Sequence, residues 1–372
     1  MDNKIRIQHV VLSLQPGGLE NGVVNIVNHL SPDRFQSHIC CLKRSGEFGA
    51  RLNAGIPVHE MGWRGGNSLS LPLRLARLFR KTRPDIVHTR NVEAFFYGFL
   101  GAKLAGVNCV IHSEHGRTFD DRPIRFHVQR WFSARTQAVC AVSRQLKRDL
   151  AFHTGIPENS IQVLHNGVDL ARFNSGNRNR ARQSLGLRDG DLVIGSVGRL
   201  VAVKNYALLL NAIAALGRRD IVVVLVGDGP ERPALEQLSR ALDIESMVRF
   251  LGHRDDVMTL LPAMDVFVLP SISEGHSNTL LEAMASGIAS VVSDVGGNPD
   301  IVSHAKEGLV FGCGDQDALV ACLGRLCGDA QLRRSMGAAA RERVMHEFSI
   351  DAMIRRYEGL YVQALFDAMG VE

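Results

Sequence analysis

Two glutamates eight positions apart, Glu274 and Glu282, lie in the run Ser273-Glu274-Gly275-His276-Ser277-Asn278-Thr279-Leu280-Leu281-Glu282, where the residue types best suit chemistry. The apolar spacing from Leu280 to Met284, closed by Gly287, predicts a short helix starting near Ser277. N–H groups at Ser277, Asn278 and Thr279 would then face a spot suited to an anion, with a carboxylate on either side. Such carboxylates accept hydrogen bonds from sugar hydroxyls. Equally, Glu274 could complement the helix dipole and Glu282 could face solvent. A second group is cationic: Gly198-Arg199-Leu200, then Lys204-Asn205. A fork-shaped guanidinium and a flexible ammonium suit the two phosphates of a nucleotide diphosphate, neutralising charge as a leaving group departs. A solvated pair in a loop is the plainer alternative.

Gln15-Pro16-Gly17-Gly18-Leu19-Glu20 places two glycines between a strand-like run and a helical one. Missing side chains there let a phosphate reach backbone N–H groups at a positive helix end, although a simple turn into a helix explains them as well. Val226-Gly227-Asp228-Gly229-Pro230-Glu231-Arg232 begins like a dinucleotide fingerprint, but Arg232 holds the third glycine's place. It reads instead as a helix-initiating turn with Pro230 at an early helical position. The seven cysteines (Cys40, Cys41, Cys109, Cys140, Cys313, Cys322, Cys327) form no C-x-x-C pair and leave one over, so neither a zinc site nor a disulfide framework is indicated.

Short β-branched runs recur at 5–12, 38–42, 85–89, 110–112, 138–143 and 161–165, each followed by a helical pattern. After a polar stretch at 174–191 the rhythm restarts at 192–197, 221–226, 248–251, 266–269 and 290–293. This alternation predicts an α/β fold of two doubly wound, Rossmann-like domains, 1–172 and 178–350, with both sets of strand ends facing one cleft. A last helical stretch, 351–369, is a candidate to pack back on the first domain. A length of 372 residues suits two domains, and 45% apolar with 22% charged residues excludes wholesale disorder. Residues 1–172 carry 23 basic and 13 acidic side chains (+10), and 173–372 carry 20 and 25 (−5). A nucleic-acid binder would be basic throughout and carry a recognisable module. The N-terminus enters a strand pattern without a signal-peptide stretch, and no uncharged apolar run approaches about 18 residues, which predicts a cytoplasmic protein.

Glu274 and Glu282 reproduce an E-x7-E element. With Gly198-Arg199-Leu200, Lys204-Asn205, Val226-Gly227-Asp228-Gly229-Pro230, Asn166-Gly167-Val168-Asp169 and Gly17-Gly18, the chain resembles the retaining glycosyltransferases of family 4, of GT-B architecture, over residues 5 to 350. The wording Asn278-Thr279 and Gly296-Gly297-Asn298-Pro299 is most similar to bacterial exopolysaccharide sugar transferases, including those associated with exosortase systems. The resemblance implies a metal-independent, hexosyltransferase-type enzyme, without cofactor, that moves a sugar from a UDP- or GDP-sugar to a saccharide or lipid-linked acceptor. It further implies that Arg199 and Lys204 hold the diphosphate, Glu282 the ribose and Glu274 the transferred sugar. Gly17, Gly18, Gly198, Ser277, Asn278, Thr279 and Leu280 would complete the donor site. In Ser113-Glu114-His115-Gly116-Arg117, His115 matches the family's histidine beside the donor sugar. His276-Ser277 departs from the family's aromatic-Gly pair.

Two rival readings are a sugar-nucleotide epimerase of the same architecture and a non-catalytic sugar-nucleotide-binding subunit. For the acceptor, Arg74, Arg77, Arg80, Lys81 and Arg83 beside Leu71, Leu75, Leu78 and Phe79 form one basic stretch. Arg122, Arg125 and Arg130 near Phe126 and Trp131 form another. Either suits peripheral docking on an anionic inner-membrane face, and either suits a solvated helix with its apolar stripe in the core.

Overall fold

The computed structural model describes residues 4–116, 123–174 and 176–369. They form two compact units, one of residues up to 166 together with those from 350 onward, the other of residues 167–349. The first holds β1 (Ile5–Val11), β2 (Phe35–Cys41), β3 (Val58–Glu60), β4 (Ile86–Arg90), β5 (Cys109–Glu114), β6 (Ala138–Ala141) and β7 (Ile161–Val163). All its pairings are parallel, in the order β3-β2-β1-β4-β5-β6-β7. The second holds β8 (Leu192–Val197), β9 (Ile221–Val226), β10 (Val248–Phe250), β11 (Val266–Leu269), β12 (Ala289–Ser293) and β13 (Gly308–Phe311). These too are parallel throughout, in the order β10-β9-β8-β11-β12-β13.

Side chains of alternate residues leave opposite faces of a strand, and here both faces are covered. Along β9, Ile221, Val223 and Leu225 enter one core and Val222, Val224 and Val226 the other. That is why the strand reads as an unbroken apolar run. In each sheet the strand order reverses once, between β1 and β4 and between β8 and β11. Ligands of doubly wound sheets bind outside the strands' carboxyl ends at such a reversal.

The strands β3 and β13 have no counterpart among the runs read from sequence. Both are short edge strands, of three and four residues, so pairing with β2 and β12 rather than an intrinsic pattern makes them strands. The division between units falls at 166/167 rather than after 172. Val168 bridges to Ser349 and Phe173 is buried in the second unit's core, which draws that segment across. The last helix, Ile350–Met369, returns to the first unit, where Met353, Ile354, Tyr357, Leu360 and Tyr361 pack with Ile7, Ile86 and Ile111. Among the described residues no helix is long and apolar enough to cross a membrane.

Candidate active site

In the second unit the proposed donor residues stand at the carboxyl ends of β8 and β11. Gly198, Arg199 and Leu200 leave β8, and Lys204 ends a single 3₁₀ turn, Ala202–Lys204, before the helix Tyr206–Leu216. The loop after β11 carries Glu274. Ile272 donates its N–H to the Val203 carbonyl at 2.8 Å, tying the two loops together. As a result Lys204 Nζ lies 2.5 Å from Glu274 Oε1, which also accepts from Ser271 Oγ at 2.6 Å. Both charged side chains are largely shielded, Lys204 at 19% exposure and Glu274 at 9%. Arg199 is exposed and makes no ion pair among the described residues.

The helix after Glu274 runs Asn278–Ala285, and Ser277 caps it by accepting from the Leu280 N–H at 3.4 Å. Ser277 Oγ and Thr279 Oγ1 lie 3.3 Å apart. Glu282 is the fifth helical residue, just past the first turn, and is half-buried. The Leu280 side chain is buried in the core and its N–H is taken by the cap, so it supports the helix start more than it lines a ligand site. His276, at the position where the family's aromatic-Gly pair is missing, packs in the interior with its ring 5.5 Å from that of Phe348.

The glycines of Gly227-Asp228-Gly229-Pro230 have a use that the sequence reading missed. A Cβ on Gly227 would lie 2.0 Å from the Gly198 carbonyl oxygen, and one on Gly229 2.3 Å from that of Leu200. The two loops are laced by Gly198 N–H to Val226 O (2.9 Å) and Leu200 N–H to Asp228 O (3.0 Å). This backbone contact fixes where Arg199 emerges. The helix itself starts later, at Arg232, and the proline inside its first turn is Pro233, not Pro230. Gly296 does for Glu274 what Gly227 does for Arg199: at φ +55° its Cβ position is 1.8 Å from the Glu274 carbonyl oxygen. Ser271, Gly227, Gly229 and Gly296 therefore belong to the site's frame. The glycine spacing was the available signal.

Gly17, Gly18 and His115 belong to the first unit, and their roles rest on the resemblance. Gly17 caps the helix Gly18–His29 from an extended conformation without a side-chain bond. A Cβ there would meet Glu20 Oε2 at 2.3 Å, so the glycine makes room for a carboxylate of its own chain. Burial pushes the Glu20 carboxyl above its usual range. His115 follows β5, is half-buried, and donates its backbone N–H to Asn91 Oδ1 at 3.0 Å. Burial first, then the charges of Arg90 and His112, hold its imidazole well below the ordinary range, so it stays neutral near pH 7. Arg117 and Arg122 lie outside the described residues.

Residues 16–172 match the model of Glycosyltransferase Family 4, and residues 177–343 that of Glycosyl transferases group 1. A Bacillus subtilis (strain 168) protein that bears the name glycosyltransferase EpsF is 30% identical over 308 residues, 78% of this chain and 79% of that one. The chain belongs to glycosyltransferase family 4. The transferase is also 28% identical over 380 residues, 97% of each chain, to the Escherichia coli UDP-Gal:alpha-D-GlcNAc-diphosphoundecaprenol alpha-1,3-galactosyltransferase. Among solved structures it resembles Anabaena Alr3699/HepE, crystallised in complex with UDP and glucose, with a TM-score of 0.84 and 20% identity over 95% of this chain and 98% of that one. That likeness shows the GT-B fold. Nothing in these comparisons favours the epimerase or the non-catalytic subunit.

The lacing of the transferase's loops makes a prediction. Gly296→Ala puts a methyl group into the Glu274 backbone at a positive φ, which costs more than about 1 kcal/mol. It should lower the melting temperature and weaken nucleotide-sugar binding together. Gly314→Ala, also at positive φ (+76°) but facing open space, should lower only the melting temperature.

Proposed function

We propose that this transferase retains anomeric configuration and works without metal. In this reading it moves a hexose from a nucleoside diphosphate sugar to a saccharide or lipid-linked acceptor in polysaccharide or glycoconjugate synthesis. The carrying observation is the convergence, at the β8/β11 reversal, of exposed Arg199, the Lys204–Glu274 pair and a capped helix start. Arg199 and Lys204 hold the diphosphate and stabilise its charge as the bond to the sugar breaks. Glu274 accepts from sugar hydroxyls and Glu282 from the ribose. Gly17, Gly18, Gly198, Ser277, Asn278 and Thr279 offer backbone or hydroxyl donors, and His115 stands beside the sugar. The acceptor oxygen attacks the face that the diphosphate leaves, and its proton passes to a departing phosphate oxygen. Two cations at the phosphate end, with the nearby Glu274 carboxylate already paired to Lys204, support metal independence. The relatives named above, a diphosphoundecaprenol galactosyltransferase and a UDP-bound neighbour, favour a UDP-sugar donor and a lipid-linked acceptor.

We further propose that the transferase reaches its acceptor at an anionic membrane face. The apolar residues of the first basic stretch do not carry this, since Leu71, Leu75 and Phe79 are buried in the core of the first unit. Nor do all the arginines point outward freely: Arg74 bonds the Met61 carbonyl, and Arg80 the Leu104 carbonyl at 2.5 Å. Other residues support it. Leu69 and Leu73 are 94% and 54% exposed beside exposed Arg77 and Lys81, and Leu100, Leu104, Ile124 and Trp131 are exposed on the two following helices. Apolar side chains among cations suit an interface with anionic headgroups.

Arg199→Ala and Lys204→Ala should each lower kcat about 100- to 1,000-fold with the fold intact, and EDTA should leave the wild-type rate unchanged. Near-normal turnover in both variants, or a rate lost to EDTA and restored by Mg²⁺, contradicts this chemistry. Arg77→Glu with Lys81→Glu should release the protein from anionic vesicles at lower salt than the wild type, as measured by sedimentation. Equal salt dependence would remove the membrane reading and leave the transfer chemistry standing.

A further inference from the structure

Arg90 ends β4, beside the end of β5 that carries His115, and is 1% exposed. Among the described residues no carboxylate pairs with it, and its Nε has no hydrogen-bond partner. Its neighbours are His115 Nε2 at 3.4 Å from Nη1, His88 Nδ1 at 3.4 Å from Nη2, and the Tyr357 ring with its centroid at 5.4 Å. Burying a cation is costly, so packing alone does not explain it.

The chemistry of the group does. A guanidinium offers donors only, so each imidazole nitrogen facing it must present a lone pair. At His88 the other contacts agree: the Tyr361 hydroxyl lies 3.0 Å from Nδ1, and Nε2 is left to donate to Ser113 Oγ at 2.8 Å. The same rule puts the lone pair of His115 on Nε2 and its proton on Nδ1. We infer that Arg90 is a positioning residue that holds His115 as the neutral Nδ1–H tautomer. His115 then meets the transferred sugar as a hydrogen-bond donor and cannot act as the base for the acceptor. The inference rests on the placement of His115 beside the donor sugar. Among the described residues the other titratable groups of this cluster are His9 on β1, His88 on β4, His112 and Glu114 on β5, Cys140 on β6, and Tyr357 and Tyr361 on the last helix. All are buried.

The test is ¹⁵N-histidine NMR of the full chain, with the His115 signals assigned by their loss in His115→Asn. The wild type should show a protonated Nδ1 and a bare Nε2 from neutral pH down through the ordinary imidazole range. In Arg90→Gln the His115 titration, and the acid limb of kcat with it, should move upward by about one pH unit, because one of the charges that disfavours imidazolium is gone. Arg90→Lys should keep the low limb. A wild-type His115 protonated at Nε2 overturns the inference, even if Arg90→Gln fails to fold. An unmoved titration in a folded Arg90→Gln overturns it too. If His115→Ala transfers sugar at the wild-type rate, the placement of His115 at the sugar fails while the tautomer result stands separately.

Discussion

The ion pair between Lys204 and Glu274 is the contact around which the second unit's site is arranged. It joins the loops that leave β8 and β11 where the strand order reverses. In the proposed chemistry each partner is also the group that an incoming donor would claim, the ammonium by phosphate and the carboxylate by sugar hydroxyls. On that proposal binding would replace one set of charge-assisted contacts with another and leave neither charge buried alone. Until then the pair holds both side chains in place. A shielded carboxylate without its cation would otherwise carry a heavy desolvation cost.

That arrangement depends on close backbone packing that only glycine permits. Gly227 and Gly229 lie against the Gly198 and Leu200 carbonyls, and Gly296 against that of Glu274. These residues touch no ligand in the proposed chemistry, yet they set the height and direction from which Arg199 and Glu274 leave their loops. The first unit handles charge differently. There a buried guanidinium, Arg90, lies among imidazoles, and burial together with that cation holds His88 and His115 well below the ordinary imidazole range.

The strand rhythm, the two units and the loops bearing Arg199, Lys204 and Glu274 were legible because β-branched runs buried on both faces have few other readings. The edge strands β3 and β13 were not, since three or four residues carry no period and depend on their neighbours. The unit boundary was misread because Val168 and Phe173 follow long-range pairing with Ser349 and the second core, not the polar stretch after them. Pro230 and Pro233 lie so near each other that spacing could not say which opened the helix. Arg90 gave no sign at all: a cation at a strand end reads as solvated until the depth of β4 is known.

In the proposed chemistry Arg199 and Lys204 recognise the donor's diphosphate. Calorimetric titration with UDP against uridine, and GDP against guanosine, addresses this without needing the acceptor. For the nucleotide that binds, the wild type should prefer the diphosphate to the nucleoside, and each alanine variant should lose about tenfold or more of that preference while nucleoside binding holds. An undiminished diphosphate preference in both variants would contradict recognition of the diphosphate by Arg199 and Lys204.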